Sequence, residues 1–225
     1  MSQRNSGHAR IAADRYMTPA WVTEALLPHL RPARTLWEPA AGSGQMARVL
    51  ERFAGTVISS DIADGQDFLT AAPVDCCGIV TNPPYTHAVA FIERALSLTA
   101  PDGVVAMLLR CDFDHAKTRS HLFAGCSAFA KKIVLTRRVK WFEDSAGQPS
   151  FNHAWFLWDH RHKGPPTLAY GPNAAGGRHN EIPSRDVRRV SRHPRLSADG
   201  LDRPRAGGVR PLPCVWNRYA VAVRL

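Results

Sequence analysis

Between Thr35 and Asp61 the chain runs strand, small-residue turn, helix, strand, and that order leaves little freedom about the fold. Thr35-Leu36-Trp37 is a short apolar strand, and Glu38-Pro39-Ala40-Ala41-Gly42-Ser43-Gly44 is a turn of mostly small residues. Residues 45–53 place Met46, Val49, Leu50 and Phe53 at helical spacing, and Thr56-Val57-Ile58-Ser59-Ser60 is a second strand closed by Asp61. A β-turn-α-β unit of this kind is the nucleotide-binding half of a doubly wound sheet.

The alternation continues downstream. Residues 75–80 form an apolar strand that runs into Thr81-Asn82-Pro83-Pro84-Tyr85. A helix follows over 86–98, a strand over 104–109 after the turn Pro101-Asp102-Gly103, a helix over 114–123 and a strand over 130–135. After the polar loop 143–150, His153 to Asp159 reads as one further strand. Upstream, 20–30 reads as an amphipathic helix with Thr18 as its N-cap, Pro19 behind it and Pro28 spoiling its last turn. The expectation is a three-layer, doubly wound α/β domain on a mostly parallel seven-stranded sheet, with its strands inside 35–159.

Beyond Lys163 the pattern breaks. Gly164-Pro165-Pro166, Gly171-Pro172 and Gly176-Gly177 are loop punctuation, and Arg188, Arg189, Arg192 and Arg195 follow without an apolar stripe. Only 215–223 reads as ordered. The expected organisation is a domain over 1–160 and a basic, Gly/Pro/Arg-rich extension over 161–225, mostly irregular. Charge marks the same boundary. Residues 1–160 hold 16 Lys or Arg against 15 Asp or Glu, whereas 161–225 hold 13 against 4. A segment so biased can collect a phosphate backbone, although soluble Arg-rich tails without a polyanion partner are common. Lys131, Lys132, Arg137, Arg138 and Lys140 either widen that positive face or are a solvated charge run.

With 44% hydrophobic residues in 225, the chain has material for a core, which excludes a wholly disordered protein. It has no run of 18 apolar residues, and Met1-Ser2-Gln3-Arg4 lacks the apolar segment of a secretory signal, so the expected location is cytoplasmic, with no membrane partner. The five cysteines, Cys76, Cys77, Cys111, Cys126 and Cys214, form no C-x-x-C pair and lie apart from the histidines, so reduced thiols and no metal are expected. Cys76 and Cys77 read as buried residues of an apolar strand.

The chemistry concentrates at two places. In the turn 41–44, Gly42 and Gly44 allow positive φ and a close backbone approach, so the turn suits a nucleotide. Ala47 stands where a dinucleotide fingerprint has its third glycine, which leaves NAD open. Asp61, at a strand end 17 residues after Gly44, can accept from ribose hydroxyls. Asp67 and Phe68 offer an acceptor and an aromatic face for an adenine ring, or are simply a surface Asp beside a core Phe. Glu38 would repel a pyrophosphate and suits a ligand with an amine and a sulfonium, which favours S-adenosylmethionine over NAD.

The second place is Asn82 to Tyr85. Neither proline has an N–H, so the strand stops there and the carbonyls of Asn82 and Pro83 are released toward the cleft. Two oxygens converging on an –NH2 group aim its nitrogen at an electrophilic methyl, and Tyr85 offers a face for a planar substrate. No nucleophile-His-Asp set accompanies these residues. His87, two residues after Tyr85, could influence substrate polarity but is assigned no base role, and His153 either approaches the base pocket or is a structural strand-end histidine.

Thr81-Asn-Pro-Pro-Tyr85, following Trp37 to Gly44 and Asp61, resembles the class I S-adenosylmethionine-dependent amino-methyltransferases, most closely the DNA adenine-N6 type, over about residues 14–159. Arg15-Tyr16-Met17-Thr18-Pro19 resembles the element that closes over the methionine end of the cofactor in that family. The resemblance implies that Tyr16, Thr18, Glu38, Ala40, Gly42 and Gly44 surround that end, that Asp61 meets the ribose, and that Asp67 and Phe68 meet the cofactor adenine. It implies catalytic roles for Asn82, Pro83, Pro84 and Tyr85, with Tyr85 and Phe151 stacking on an extruded base and Trp141 and Phe142 as rivals to Phe151. S-adenosylhomocysteine is then the product, no metal takes part, and the partner is nucleic acid, most naturally DNA. Family members often carry a large recognition domain, which a basic extension does not supply. The resemblance therefore leaves room for a recognition subunit, a homo-oligomer, or loose recognition of unstacked bases, in restriction-modification, phage defence or regulation. The same motif occurs in enzymes that methylate protein glutamine or guanine N2 in RNA, and a non-catalytic binding protein on this fold is the remaining alternative.

Overall fold

A computed structural model describes residues 17–141 and 151–172. Tyr16, Phe142, Cys214, the loop 143–150 and everything from 173 onward, including the segment 215–223, lie outside the described residues.

Seven strands form one sheet: β1 (Thr35–Glu38), β2 (Thr56–Ser59), β3 (Gly78–Thr81), β4 (Val104–Arg110), β5 (Phe129–Leu135), β6 (His153–Asp159) and β7 (Thr167–Gly171). Their order is β2-β1-β3-β4-β6-β5-β7. Every pairing is parallel except those of β6, which runs antiparallel to both β4 and β5. This is the expected fold class, a seven-stranded, mostly parallel, doubly wound sheet.

The central strands explain themselves by burial. All four residues of β1 and of β3 are buried, as are the first six of β4 and of β6. A strand covered on both faces has no polar side, so these read as continuous apolar runs. The two faces nevertheless separate with period two. Ala154, Phe156 and Trp158 of β6 join one core with Val105, Met107 and Leu109 of β4. Trp155 and Leu157 join the other with Val104, Ala106 and Leu108. Each buried indole finds an acceptor: Trp155 donates to the Val22 carbonyl at 2.8 Å, Trp158 to the Leu122 carbonyl at 2.7 Å and Trp37 to Ser60 Oγ at 2.9 Å.

Three helices cover the faces, α1 (Ala20–Glu24) and α2 (Gln45–Leu50) on one and α3 (Ala88–Leu98) on the other. The expected helix 20–30 stops early, because Pro28 sits inside a 3-10 turn at Leu27–His29. Thr18 does not cap it. Pro19 occupies the N-cap position, without a side-chain bond, and the Thr18 hydroxyl is turned elsewhere. The expected helix 114–123 is replaced by two 3-10 turns, Phe113–His115 and Lys117–Leu122, separated by Ala116 in extended conformation at φ −78°, ψ 128°. Cys76 and Cys77 precede β3 instead of lying in it; Cys76 is buried and Cys77 half-buried.

The largest difference is at the far edge. Six strands lie within 35–159, and the seventh, Thr167–Gly171, comes from the stretch expected to be irregular. It extends the sheet past the expected boundary at 160 by pairing in parallel with β5 from Lys131↔Thr167 to Leu135↔Gly171. An edge strand needs no apolar stripe, and this one leaves Leu168 and Tyr170 each 57% exposed. Pro165-Pro166 before it and the Gly171-Pro172 step at its end look like loop signals for the same reason that they bound a short edge strand.

Gly78 opens β3 where the sheet is tightest. A Cβ there would lie 2.5 Å from Val104 Cγ1, 2.7 Å from the Val104 carbonyl oxygen and 3.2 Å from Leu36 Cδ2. Gly78→Ala must therefore push β3 away from β4, and urea unfolding should show a loss of about 1–3 kcal/mol, the usual cost of overpacking a filled interior. Unaltered stability would mean that β3 and β4 are less closely apposed.

Candidate functional site

The β1–α2–β2 connection runs over one face of the sheet and the β3–α3–β4 connection over the other, so the strand order reverses between β1 and β3. A crevice must open there, at the carboxyl ends of the strands. It holds a cavity of about 450 Å³, within the range of about 300–1,000 Å³ usual for small-molecule sites.

One wall is the turn between β1 and α2. Gly42 has φ +54° and Gly44 φ +76°, and a Cβ on either would meet nothing within 4 Å. The glycines are therefore required by backbone conformation and not by crowding. The turn is pinned to the end of β2: Ser60 N–H donates to the Glu38 carbonyl at 3.0 Å, and Ala41 N–H to the Ser60 carbonyl at 3.0 Å. Asp61 completes the clamp, accepting from Gly42 N–H at 2.8 Å through Oδ2 and from Ala63 N–H at 2.9 Å through Oδ1. Asp61 is thus a cavity-wall carboxylate, buried and oriented by the backbone on either side of it.

Glu38, the last residue of β1, is only 2% exposed, and its Oε2 has no hydrogen-bond partner among the described residues. Burial pushes its carboxyl up to about 8, with the Asp61 charge acting in the same direction against a bond from the Ala47 backbone. The cavity lining includes Glu38, Asp61 and Asp67 and, among the described residues, no Lys or Arg. Such a wall opposes a pyrophosphate and favours a ligand bearing positive charge.

Asp67 accepts from Leu69 N–H at 2.9 Å and lines the cavity next to Phe68. Phe68 is a core residue, packed edge-on against Trp37 at 5.1 Å and tilted against Phe91 at 4.8 Å, so it closes the cavity from behind more than it offers an open face. The exposed apolar surface comes instead from Met17, 54% exposed, and Ile62, 61% exposed, both lining the cavity. Sequence reasoning gives neither a role: Met17 enters only as part of the segment 15–19, and Ile62 not at all. The available signal is an apolar residue immediately next to Thr18 or Asp61.

The opposite wall belongs to the end of β3. Asn82 Nδ2 donates to Thr18 Oγ1 at 3.3 Å, and its Oδ1 has no partner among the described residues. Pro84 and His87 also line the cavity. Pro84, at φ −55° and ψ 125°, leads into a 3-10 turn at Tyr85–His87 and then into α3.

The structure therefore gathers Thr18, Glu38, Ala40, Gly42, Asp61, Asp67, Phe68, Asn82 and Pro84 around one space. Gly44 is not on its wall and serves as the left-handed residue that starts α2. Pro83 is buried behind it. Tyr85 stands off the wall on the β6 side, its hydroxyl 2.8 Å from His153 Nε2. Phe151 is 42% exposed, with the Arg110 guanidinium 4.2 Å from its ring centre. Trp141 packs edge-on against His153, with ring centres 5.1 Å apart.

No family model and no curated protein matches the sequence. Among solved structures, the chain is similar to a proposed class I S-adenosylmethionine-dependent methyltransferase from Listeria monocytogenes, with 14% identity over 71% of this chain and 67% of that one and a TM-score of 0.48. It is also similar to the M protein of the type I restriction enzyme EcoKI, with 11% identity over 64% of this chain and 44% of that one and a TM-score of 0.45. A third similarity is to TrmN from Thermus thermophilus, with 21% identity over 61% of this chain and 47% of that one and a TM-score of 0.39. Likenesses of this size carry no weight for substrate or reaction, which rest on the cavity.

The raised Glu38 carboxyl has a measurable consequence. A carboxyl that holds its proton more tightly folded than unfolded favours folding most below its ordinary value of 4.5, and that contribution is lost as pH climbs to about 8. Thermal unfolding followed by circular dichroism across this window should show Glu38→Gln matching the wild type in acid and melting at a higher temperature in alkali. Parallel curves for the two proteins would place Glu38 in water.

Proposed function

We propose that this chain transfers a methyl group from S-adenosylmethionine to the exocyclic N6 amine of adenine in DNA, with the base extruded from its stack. The observation that carries the reading is Asn82, which lines an acid-walled cavity and whose Oδ1 is buried without a partner among the described residues. Across the carboxyl ends of the strands the order is Asp61 after β2, Glu38 on β1, Asn82 after β3, then β4 and His153 on β6. Asn82 thus divides a cofactor side from a side bounded by Tyr85 and His153.

The residues present fit the cofactor. Glu38 Oε2 is a buried acceptor suited to an ammonium group, the Gly42 turn admits close approach, and Asp61 borders the space for a ribose. Asp67 supplies an acceptor for an adenine edge, with Ile62 and Phe68 as its apolar surroundings. When bound, S-adenosylmethionine supplies an electrophilic methyl and leaves as S-adenosylhomocysteine. The chain's own part is orientation. In this reading Asn82 Oδ1 accepts one N–H bond of the target amine and the backbone carbonyl of the buried Pro83, behind the cavity wall, is brought to the other as the base enters, which draws the amine lone pair out of ring conjugation and toward the methyl. Thr18 keeps the Asn82 amide turned so that oxygen, and not nitrogen, faces the amine. Tyr85 supplies a stacking face, and the proton released on methylation passes to solvent.

DNA is favoured over protein glutamine by the charge of the C-terminal stretch. Residues 173–225 carry 11 Lys or Arg against 4 Asp or Glu, and cations of this density compensate part of the few kcal/mol needed to unstack a base. In this reading the domain extends through β7, and the basic extension begins after it; a recognition subunit or second copy would supply sequence selectivity.

Incubation with labelled cofactor and separate DNA, ribosomal RNA and release-factor substrates, followed by digestion and mass identification, tests the reading. N6-methyladenine in DNA is expected, and label confined to protein or to guanine would replace adenine with glutamine or guanine N2. Asn82→Ala should lower transfer by at least about 100-fold, the scale of losing a preorganised group, while cofactor affinity measured by calorimetry is retained. Transfer persisting in that variant rejects the role of Asn82. Replacing Arg188, Arg189, Arg192 and Arg195 by Gln should flatten the dependence of DNA affinity on salt, by up to about 0.9 in logarithmic slope for each phosphate no longer neutralised. An identical slope would remove the extension from the DNA-facing surface.

A further inference from the structure

We propose that His153 is a positioning residue for the transfer, holding the Tyr85 ring in the orientation on which a target base stacks. This rests on the reading of Asn82 to Tyr85 given above and adds a residue to it.

His153 is the first residue of β6 and pairs with Arg110, the last of β4, at the carboxyl edge beside β3. The five residues after it, Ala154 to Trp158, are all apolar and buried. An imidazole only 2% exposed breaks that run and carries a desolvation cost that an aliphatic side chain would avoid. Nδ1 is buried without a hydrogen-bond partner among the described residues, so what offsets the cost lies at Nε2 and along the ring. Nε2 lies 2.8 Å from the Tyr85 hydroxyl, the two rings are 6.1 Å apart and inclined by only 23°, and Trp141 packs edge-on from another side. Burial, reinforced by the Arg110 charge, lowers the imidazole to about 4, so it is neutral at ordinary pH, and the tautomer with Nε2 unprotonated accepts a hydrogen bond from the Tyr85 hydroxyl.

Tyr85 needs such a partner. The two prolines before it and the 3-10 turn at Tyr85–His87 set its backbone, but nothing in them sets its side-chain torsions. A hydrogen bond at the far end of the ring, to a residue fixed in the sheet, removes that freedom. β6 is tied down there by its pairing with β4 from Arg110↔His153 and by Trp155, which donates to the Val22 carbonyl two residues on. The Tyr85 plane is then set relative to Asn82 before any base arrives, which is the preorganisation that a transfer with no strong base depends on.

The test uses the full-length protein with S-adenosylmethionine and unmethylated DNA. His153→Leu removes the acceptor, Tyr85→Phe removes the hydroxyl but keeps the ring, and His153→Gln restores a hydrogen-bonding group at the same reach. The first two should each lower kcat by about 10- to 100-fold, the range expected for a misplacement near 1 Å, with cofactor affinity unchanged. The double variant should be no worse than either single one, since both remove one interaction. His153→Gln should recover most of the loss. An oligonucleotide carrying 2-aminopurine at the mapped target should be quenched by stacking in the wild type and brighter in His153→Leu at equal saturation. If His153→Leu does not fold, Tyr85→Phe against His153→Gln carries the comparison. Additive losses, or Tyr85→Phe behaving as wild type in rate and fluorescence, would overturn the positioning role while leaving the transfer reading intact. A wild type that methylates nothing would overturn both.

Discussion

Two successive prolines end β3 at a reversal of strand order, and the candidate site is built around that stop. Without N–H groups at 83 and 84 the ladder with β4 cannot run past Thr81, where it pairs with Met107. The chain must then leave the sheet at the mouth of the crevice, and it leaves with Asn82 half-buried at the rim and a short turn leading into α3. A polar side chain at such a point is normally satisfied by its neighbours. Here only one end of the amide is, through Thr18, and the other end is buried without a hydrogen-bond partner among the described residues.

The electrostatics of the cavity follow from the same economy of space. The all-buried strand β1 carries Glu38 into the interior at its last residue, and Asp61 sits at the end of the neighbouring β2 with both oxygens engaged by backbone N–H groups. Burial, which the bond from the Ala47 backbone only partly opposes, pushes the Glu38 carboxyl up to about 8. A ligand with positive charge near Glu38 would relieve the unpaired oxygen and draw the proton off. An anionic ligand would find no cation on the described wall to receive it.

Much of this was legible without coordinates. The apolar runs of β1, β3, β4 and β6 are long and unambiguous because both faces are covered, and the Gly42 and Gly44 conformations follow from a tight strand-to-helix turn. Local reading failed where local preference was weak. The 114–123 segment has helical composition but breaks at Ala116, and β7 has no apolar pattern because an edge strand with exposed Leu168 and Tyr170 needs none. Thr18 has the look of a cap because it precedes a helix; its hydroxyl bonds instead to a residue 64 positions away.

The βαβ order, the stop after Asn82 and the acidic character of the turn can be read from the residues alone, since these depend on backbone chemistry and on neighbours close together in the chain. It took the folded arrangement to show that burial pushes the Glu38 carboxyl up to about 8, that one end of the Asn82 amide is buried without a partner among the described residues and that Tyr85 meets His153. Each of those depends on burial or on a partner brought in by the winding of the sheet, and desolvation and long-range hydrogen bonds leave no periodic mark on a sequence.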